Sequence, residues 1–198
     1  MKTGKTVKVL LTAATAAGML AGCGSKTDTD TFRFASELDI QGMDSTVVDD
    51  GMSFNAIHAI TDGLTAVNEK GKTAPAIAKS WDVSDDGKTY TFHLRDAKWT
   101  NGDKVTANDF VYSWRKIIKD AGNYAYMLGS GGASVKNADA LMELGANATD
   151  EQMATLGVTA KDDQTLVVEL ENKVPYFTDL MAFPCYFPQN EKFVEKCG

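Results

Sequence analysis

The fold is decided by residues 80–95, which read SWDVSDDGKTYTFHLR. In the second half of this stretch, residues 90–94 alternate apolar Tyr, Phe and Leu with polar Thr and His. A period of two is typical of a strand that buries one face. The residues between the halves, Ser84-Asp85-Asp86-Gly87, have the composition of a turn. The pattern therefore predicts a β-hairpin with strands over residues 80–83 and 88–95.

An amphipathic helix is predicted to follow this hairpin. The segment Thr106-Ala107-Asn108-Asp109 has the form of a capping box, in which the first and fourth side chains bond to each other's backbone N–H groups. Apolar residues then recur at the spacing of one helix face: Phe110, Val111, Trp114, Ile117 and Ile118. We expect Trp114 on the buried side of this helix.

The rest of the chain alternates short strands and helices without regular βαβ spacing. Helices are predicted over residues 52–61, 135–144 and 175–183, and another is predicted to open at Thr149 with Gln152. Strands are predicted over residues 31–36, 64–67 and 166–170. On the helix over 52–61, Phe54, Ile57 and Ile60 are expected on one face, with His58 beside them in the core. The fold class that follows is a mixed α/β arrangement rather than a purely parallel sheet.

The first 23 residues have the pattern of an export signal. Lys2, Lys5 and Lys8 precede an uncharged stretch over residues 9–20, which is shorter than the roughly 20 residues that a membrane-spanning helix needs. The stretch ends in Leu20-Ala21-Gly22-Cys23, which resembles the lipobox of bacterial lipoproteins. That resemblance implies a signal peptide over residues 1–22, a diacylglyceryl group on Cys23 and a flexible tether over residues 23–30. The protein is then expected at the cell membrane, facing the extracellular or periplasmic side.

Composition excludes several classes of function. The formal net charge is −7, so an electrostatic surface for nucleic acid is not expected. With two histidines and three cysteines, the chain shows neither a zinc motif nor the cysteine number of a disulfide scaffold. It also has no phosphate-binding loop and no nucleophile elbow. We therefore expect no enzyme activity, no metal and no cofactor.

Several blocks, in order and with consistent spacing, carry a resemblance to one family. The chain resembles the extracellular solute-binding proteins of the peptide and nickel class, and within them the oligopeptide-binding branch. The blocks are Gly63–Thr65, Pro75–Trp81, Ser84–Arg95, Lys98–Asp103, Val105–Arg115, Gly157–Leu166 and Val174–Phe177.

The resemblance implies a fold and a division of the chain. The fold is that of a two-lobed periplasmic-binding protein of type II, with an extra α/β domain inserted in the first lobe. Residues 31–48 would begin the first lobe, residues 49–174 would form the inserted domain, and residues 175–198 would return to the first lobe. Because family members are much longer, the chain is interpreted as a truncated N-terminal portion.

The resemblance also implies a function and candidate ligand-binding residues. Family members capture oligopeptides, close around them and deliver them to the permease subunits of an ABC importer; a monomer is expected. Glu37 and Leu38 correspond to a loop that presents backbone to the peptide, and Tyr124, with Tyr126, to a tyrosine-bearing segment of the cleft. A plain loop and ordinary core packing are the alternatives at these positions.

Three other functions stay open on the sequence. The chain could belong to the same family and bind another solute, such as nickel or a sugar. It could be a lipid-anchored enzyme whose catalytic part lies outside these residues. As a truncated product, it could bind nothing on its own.

Replacing Cys23 by Ala is expected to release the protein from membranes, because two acyl chains are what makes such an anchor stable. Fractionation of cells and mass measurement of the mature N-terminus are the readouts, with Cys197→Ala as the matched control. A Cys23→Ala protein that stays in the membrane fraction, together with a wild-type protein that carries no lipid, would contradict the assignment.

Overall fold

Antiparallel pairing joins all the strands of this fold. The computed structural model describes residues 35–36 and 38–197, and residues 38–197 belong to one compact unit. In chain order, the strands are β1 (Thr65–Val67), β2 (Thr73–Pro75), β3 (Ala78–Val83), β4 (Thr89–Leu94), β5 (Val158–Asp162) and β6 (Thr165–Glu169). Strands β1 and β2 form a small hairpin, and the other four form a sheet in the order β3-β4-β6-β5.

Short helices surround this sheet. They are α1 (Gly51–Ile60), α2 (Ala107–Lys119), α3 (Ala138–Leu144), α4 (Asp150–Met153), α5 (Phe177–Leu180) and α6 (Glu191–Cys197), with 3-10 turns at Ala125–Met127, Gly145–Asn147 and Pro184–Tyr186. None of the helices in the described residues is long and apolar enough to cross a membrane. The mixed α/β class expected from the sequence is confirmed.

The central hairpin forms as the alternation predicts. Tyr90, Phe92 and Leu94 of β4 point into the main core and are 6%, 0% and 0% exposed. Phe92 lies opposite Trp81 on β3 and Leu166 on β6. The turn between β3 and β4 needs Gly87, whose φ of 70° lies in the left-handed region.

Strand β5 was not predicted from the sequence. The strand runs on to Asp162, and the reversal to β6 comes after it. A bulge between Ala160 and Asp162 lets β5 keep its pairing with β6 up to that point. Strand β2 was also missed, since three residues are too few for a periodic signal.

Two predicted helices are shorter than expected. The helix predicted over residues 135–144 begins at Ala138, because Val135 pairs with Leu170 in a β-bridge and Asn137 has a φ of 63°. The helix predicted over residues 175–183 is confined to α5, and Phe183 is extended before Pro184 (ψ 139°), as a residue before proline prefers. The strand predicted over residues 31–36 lies mostly outside the described residues.

The core assignments on α1 need a correction. Phe54 and Ile57 are buried as expected, but Ile60 is 71% exposed. His58 is exposed too, and its ring meets Phe187 edge-on at 5.3 Å. Both lie in the last turn of a helix that ends before Thr61, where the chain departs from the core.

Helix α2 is the most deeply packed element. Its capping box between Thr106 and Asp109 forms as predicted. Trp114 is 0% exposed, and its Nε1–H donates to the carbonyl of Tyr186 at 3.0 Å. The neighbouring Ser113 hydroxyl donates to the carbonyl of Phe187 at 2.7 Å. The buried face of the helix therefore fixes the position of the segment that follows α5.

A polar clasp attaches the start of the described chain to the same helix. The Lys116 ammonium contacts Asp44 at 2.9 Å, Asp120 at 2.8 Å and the Thr46 hydroxyl at 2.9 Å. Burial raises the pKa of Asp44, but hydrogen bonds from Thr46, Lys116 and Gln189 outweigh burial and hold this pKa at about 2, below the ordinary 3.8. Asp44 therefore stays ionised in the folded protein at neutral pH.

The Trp114→Ala variant should lose about 3–5 kcal/mol of the free energy of unfolding, because it leaves a large cavity and removes the donor to Tyr186. Phe193→Ala is the control, since Phe193 is 55% exposed, and should change stability by less than about 0.5 kcal/mol. Urea melts of both variants test this, and a Trp114→Ala cost as small as that of the control would contradict the packing.

Asp44→Asn should lower stability at neutral pH and have almost no effect near the folded-state pKa of about 2. Because the folded pKa is depressed, the stabilisation is present above pH 3.8 and is lost as pH falls towards about 2. The Asp44 side chain is 40% exposed, so screening limits the effect to about 1 kcal/mol. Urea melts across this range measure it, with exposed Asp39→Asn as control. A constant difference between wild type and Asp44→Asn at every pH would rule out the ion pair as the cause.

Candidate ligand-binding site

Tyr124 lies in a cluster of three aromatic rings. Its ring centre is 5.2 Å from that of Phe54 on α1, at an edge-on angle of 76°, and 5.3 Å from that of Phe183. Phe54 and Phe183 are themselves 5.2 Å apart. Such tilted and edge-on pairs at about 5 Å are favourable aromatic arrangements. Tyr124 is therefore held in one position while part of its surface remains open to solvent.

A small second core supports this cluster from behind. It consists of Val48, Phe54, Ile57 and Phe187, with Tyr124 and Phe183 packed against it. The residues come from the start of the described chain, from α1 and from the segment after α5. The aromatic site is thus built where distant parts of the sequence meet.

The backbone before Tyr124 requires a residue without a side chain. After α2 ends, Ala121 takes a left-handed φ of 48°. A Cβ on the next residue, Gly122, would come within 2.0 Å of the Thr46 carbonyl oxygen. This close approach lets the chain reverse and places Asn123 and Tyr124 beside α1.

Polar groups border the rings at the start of α1. The Asn123 side-chain amide donates to Asp49 Oδ2 at 2.8 Å. Asp50 caps α1 by accepting the Ser53 N–H at 2.8 Å, and hydrogen bonds from the Ser53 side chain and backbone lower the pKa of Asp50. The other Asp50 oxygen, Oδ2, is shielded from solvent and has no hydrogen-bond partner among the described residues. The edge of the site therefore carries negative charge, and the exposed Asp49 carboxylate is the part of it that is open to an amide or ammonium donor.

Tyr126 extends the aromatic surface outward. Its ring stacks on that of Tyr124 with centres 6.0 Å apart and planes 28° apart, and it is 52% exposed. Ala125 between them is buried and anchors the 3-10 turn. A ligand that reached Tyr124 would therefore also meet Tyr126.

An open groove of about 1360 Å³ lies elsewhere, beside one end of the four-stranded sheet. Its lining has four Lys or Arg side chains and three Asp side chains, so neither sign of charge dominates. Tyr124 and the rings around it do not line this groove. The aromatic cluster is accordingly separate from this groove.

The structure describes only some of the site residues that were expected from the sequence. Cys23 and Glu37 lie outside the described residues, and Leu38 lies in an irregular segment and is 63% exposed. Tyr124 is located in the cluster described above. Asp49 and Asn123 were not proposed from the sequence, because Asp49 resembles a helix cap and its contact with Asn123 spans 74 positions.

A family model decides which group of proteins this is. Residues 72–196, more than half of the chain, match the bacterial extracellular solute-binding proteins, family 5 Middle. This chain belongs to the family 5 bacterial extracellular solute-binding proteins. The resemblance seen in the sequence is thereby confirmed, and the family's members are binding proteins rather than enzymes.

Relatives of this family 5 chain have names that refer to different solutes. The chain is 39% identical over 202 residues to the dipeptide-binding protein of Lactococcus lactis, covering 100% of the chain and 35% of that protein. It is 41% identical over 153 residues to the oligopeptide-binding protein OppA of Bacillus subtilis, covering 76% of the chain and 26% of that protein. It is 35% identical over 170 residues to a probable deoxycholate-binding periplasmic protein of Escherichia coli, covering 84% of the chain and 30% of that protein.

Solved structures share the fold of this family 5 chain. The substrate-binding domain of an oligopeptide ABC transporter from Bacillus anthracis has a TM-score of 0.76 and 41% identity, over 83% of this chain and 31% of that one. Listeria monocytogenes OppA bound to peptide has a TM-score of 0.70 and 40% identity, over 79% of this chain and 30% of that one. The chain thus spans about a third of the length of the proteins that it matches.

Proposed function

We propose that this protein captures oligopeptides outside the cell and delivers them to the permease of an ABC importer, held at the membrane by lipid on Cys23. Family membership and the names of the relatives support the first part of the proposal. The basic and apolar leader with its Leu-Ala-Gly-Cys ending supports the lipid anchor. In this role the protein acts as a monomer and binds its solute without chemical change.

The aromatic site around Tyr124 is the observation that carries the peptide-binding proposal. A rigid, partly exposed ring suits the side chains of a peptide, and the exposed carboxylate of Asp49 beside Asn123 suits its amide and ammonium groups. Each hydrogen bond to such a ligand nets only about 0.5–1.5 kcal/mol in water. Tight capture therefore needs many contacts together, with Glu37 and Leu38 as further candidates on the same ligand.

We also propose that residues 31–48 and 175–198 belong to one lobe and that residues 49–174 form a domain inserted in it. Contacts between the two outer segments support this division. The Gln189 amide donates to Asp44 at 2.6 Å and to Ser45 at 3.3 Å, and Val48 shares the second core with Phe187. In this arrangement the described residues offer one wall of a cleft, and a second lobe would supply the other.

Calorimetric titration with a mixed peptide library tests the proposal. The protein from its complete reading frame should bind at micromolar concentration or tighter, and residues 23–198 alone, with Cys23 replaced, far more weakly. Tyr124→Phe keeps the ring and removes the hydroxyl, so it should lower affinity by about 2- to 12-fold if that group bonds the ligand. Tyr112→Phe is the matched control, a half-buried tyrosine on α2 that lies outside the cluster.

The outcomes separate the parts of the proposal. No binding by the complete protein would overturn peptide capture and favour another solute, such as nickel, a sugar or a bile acid. Micromolar binding by residues 23–198 would overturn the single-wall arrangement. An equal effect of Tyr124→Phe and Tyr112→Phe would remove Tyr124 from the ligand contacts.

A further inference from the structure

Two lysines face each other across a short hairpin beside the four-stranded sheet. Lys98 and Lys104 form an antiparallel β-bridge, and both line the open groove of about 1360 Å³. Backbone hydrogen bonds between their neighbours flank the bridge, from the Trp99 N–H to the Asp103 carbonyl at 2.8 Å and from the Val105 N–H to the Ala97 carbonyl at 3.0 Å. The lysines are therefore a non-hydrogen-bonded pair, in which the Cα atoms lie about 4.5 Å apart and both side chains share one face.

The hairpin is anchored through its other face. Trp99 donates its Nε1–H to Asp109 on α2 at 3.3 Å. Asp103 accepts hydrogen bonds from the side-chain amides of Asn101 and Asn190, each at 3.0 Å. Successive side chains of a strand point to opposite faces, so these contacts leave the two lysines on the groove side. The backbone that carries the pair is therefore fixed.

The fold does not compensate this pair of like charges. Among the described residues, no carboxylate pairs with either ammonium group, and Lys79 of the same groove is likewise exposed and without an ion pair. Two of the acids in the groove are held by Gln164, whose side-chain amide donates to Asp96 at 2.5 Å and whose N–H donates to Asp162 at 2.8 Å. Like charges directly opposite each other destabilise an antiparallel pair, so the arrangement has a cost that no contact within the described chain offsets.

We propose that the lysine pair, Lys98 with Lys104, is the centre of a docking site for an acidic peptide segment of a partner protein. A carboxylate placed between the two ammonium groups would relieve their repulsion, and such complementarity gives specificity and fast association. This site is separate from the Tyr124 cluster and does not depend on the proposed peptide capture.

The other charges of the groove favour a peptide over other anions. Asp96, Asp162 and Asp163 line it as well, and they would repel a continuous polyanion or an anionic membrane surface. The same carboxylates can accept hydrogen bonds from the N–H groups of a peptide backbone. A segment whose acidic side chains are separated by neutral residues satisfies both the lysines and the acids.

The probe is a fluorescein-labelled octapeptide of alternating Glu and Ala, acetylated and amidated at its ends. Its binding to the protein from its complete reading frame is followed by fluorescence anisotropy. An excess of the unlabelled peptide with Gln in place of Glu occupies any site that binds peptides regardless of charge. Because the chain has a formal net charge of −7, charge alone would not bring the acidic probe to the rest of its surface. The probe should stay bound under these conditions, and added salt should weaken it.

Charge reversal at Lys98 tests the site. Lys98→Glu should weaken the probe by about 2- to 30-fold, because one exposed ion pair is lost and one repulsive contact is gained. The matched control is Lys70→Glu, an exposed lysine outside the groove with the same charge change, and it should have a much smaller effect. Lys104→Gln, which only removes a charge, should weaken the probe by about 1.5- to 5-fold. Thermal melts of Lys98→Glu should show no loss of stability, since the change turns a repulsion across the bridge into an attraction.

The outcomes decide between the possible ligands. Complete displacement of the probe by the Gln peptide, or equal effects of Lys98→Glu and Lys70→Glu, would overturn the docking site. Pyrophosphate and phosphatidylglycerol vesicles are titrated in parallel. If either of them depends on Lys98 while the acidic peptide does not bind, the peptide partner is wrong and a phosphate group is the ligand. A large loss of stability in Lys98→Glu would show that the pair has a structural role and would also contradict the proposal.

Discussion

Helix α2 carries two polar side chains, Ser113 and Trp114, on its buried face, and each is 0% exposed. A buried donor without an acceptor costs about 1–3 kcal/mol, so these groups require partners at fixed positions. The partners are the carbonyls of Phe187 and Tyr186, more than 70 positions away in the chain. Because the two donors are fixed on the helix, their acceptors must lie at matching positions, and the helix dictates where Tyr186 and Phe187 lie. The Lys116 clasp does the same for residues 44–46.

The candidate site depends on this anchoring. Tyr124 follows α2 after a single tight reversal at Gly122, and its ring packs against Phe183, just before the segment that Trp114 holds. Phe54, on the third side, belongs to α1, which shares the second core with Phe187. A shift of the segment after α5 would therefore move two walls of the aromatic site together. The site gains its rigidity from this anchoring together with the ring contacts of Tyr124.

Local chemistry explains what could be predicted from the sequence. The β3–β4 hairpin, α2 and the capping boxes at Thr106 and Thr149 arise from residues within about one or two turns of each other, so periodicity and cap residues reveal them. The assignment of Tyr124 to a ligand cleft came from family resemblance and stays a prediction. The contacts between Asn123 and Asp49 and between Gln189 and Asp44 join residues 74 and 145 positions apart. No pattern of neighbouring residues in the sequence indicates such distant pairs. The exposure of Ile60 and His58 could not be predicted for the same reason, because it depends on where the chain leaves the core.

The segment from Tyr124 to Leu128 combines buried and exposed side chains in one short turn. Ala125 and Leu128 are buried at 8% and 0% exposure and fix the turn to the main core. Tyr124 is oriented inward against Phe54 and Phe183, while Tyr126 lies outside it, stacked and half exposed. Tyrosine suits both positions because its ring has few rotatable bonds and its hydroxyl tolerates water. A phenylalanine at either position would keep the ring packing and lose the hydroxyl. The chemistry that this surface offers is ring faces, hydroxyls and the exposed carboxylate of Asp49, and the proposed function needs no more than these, because it asks for contact with a solute and not for a change in its bonds.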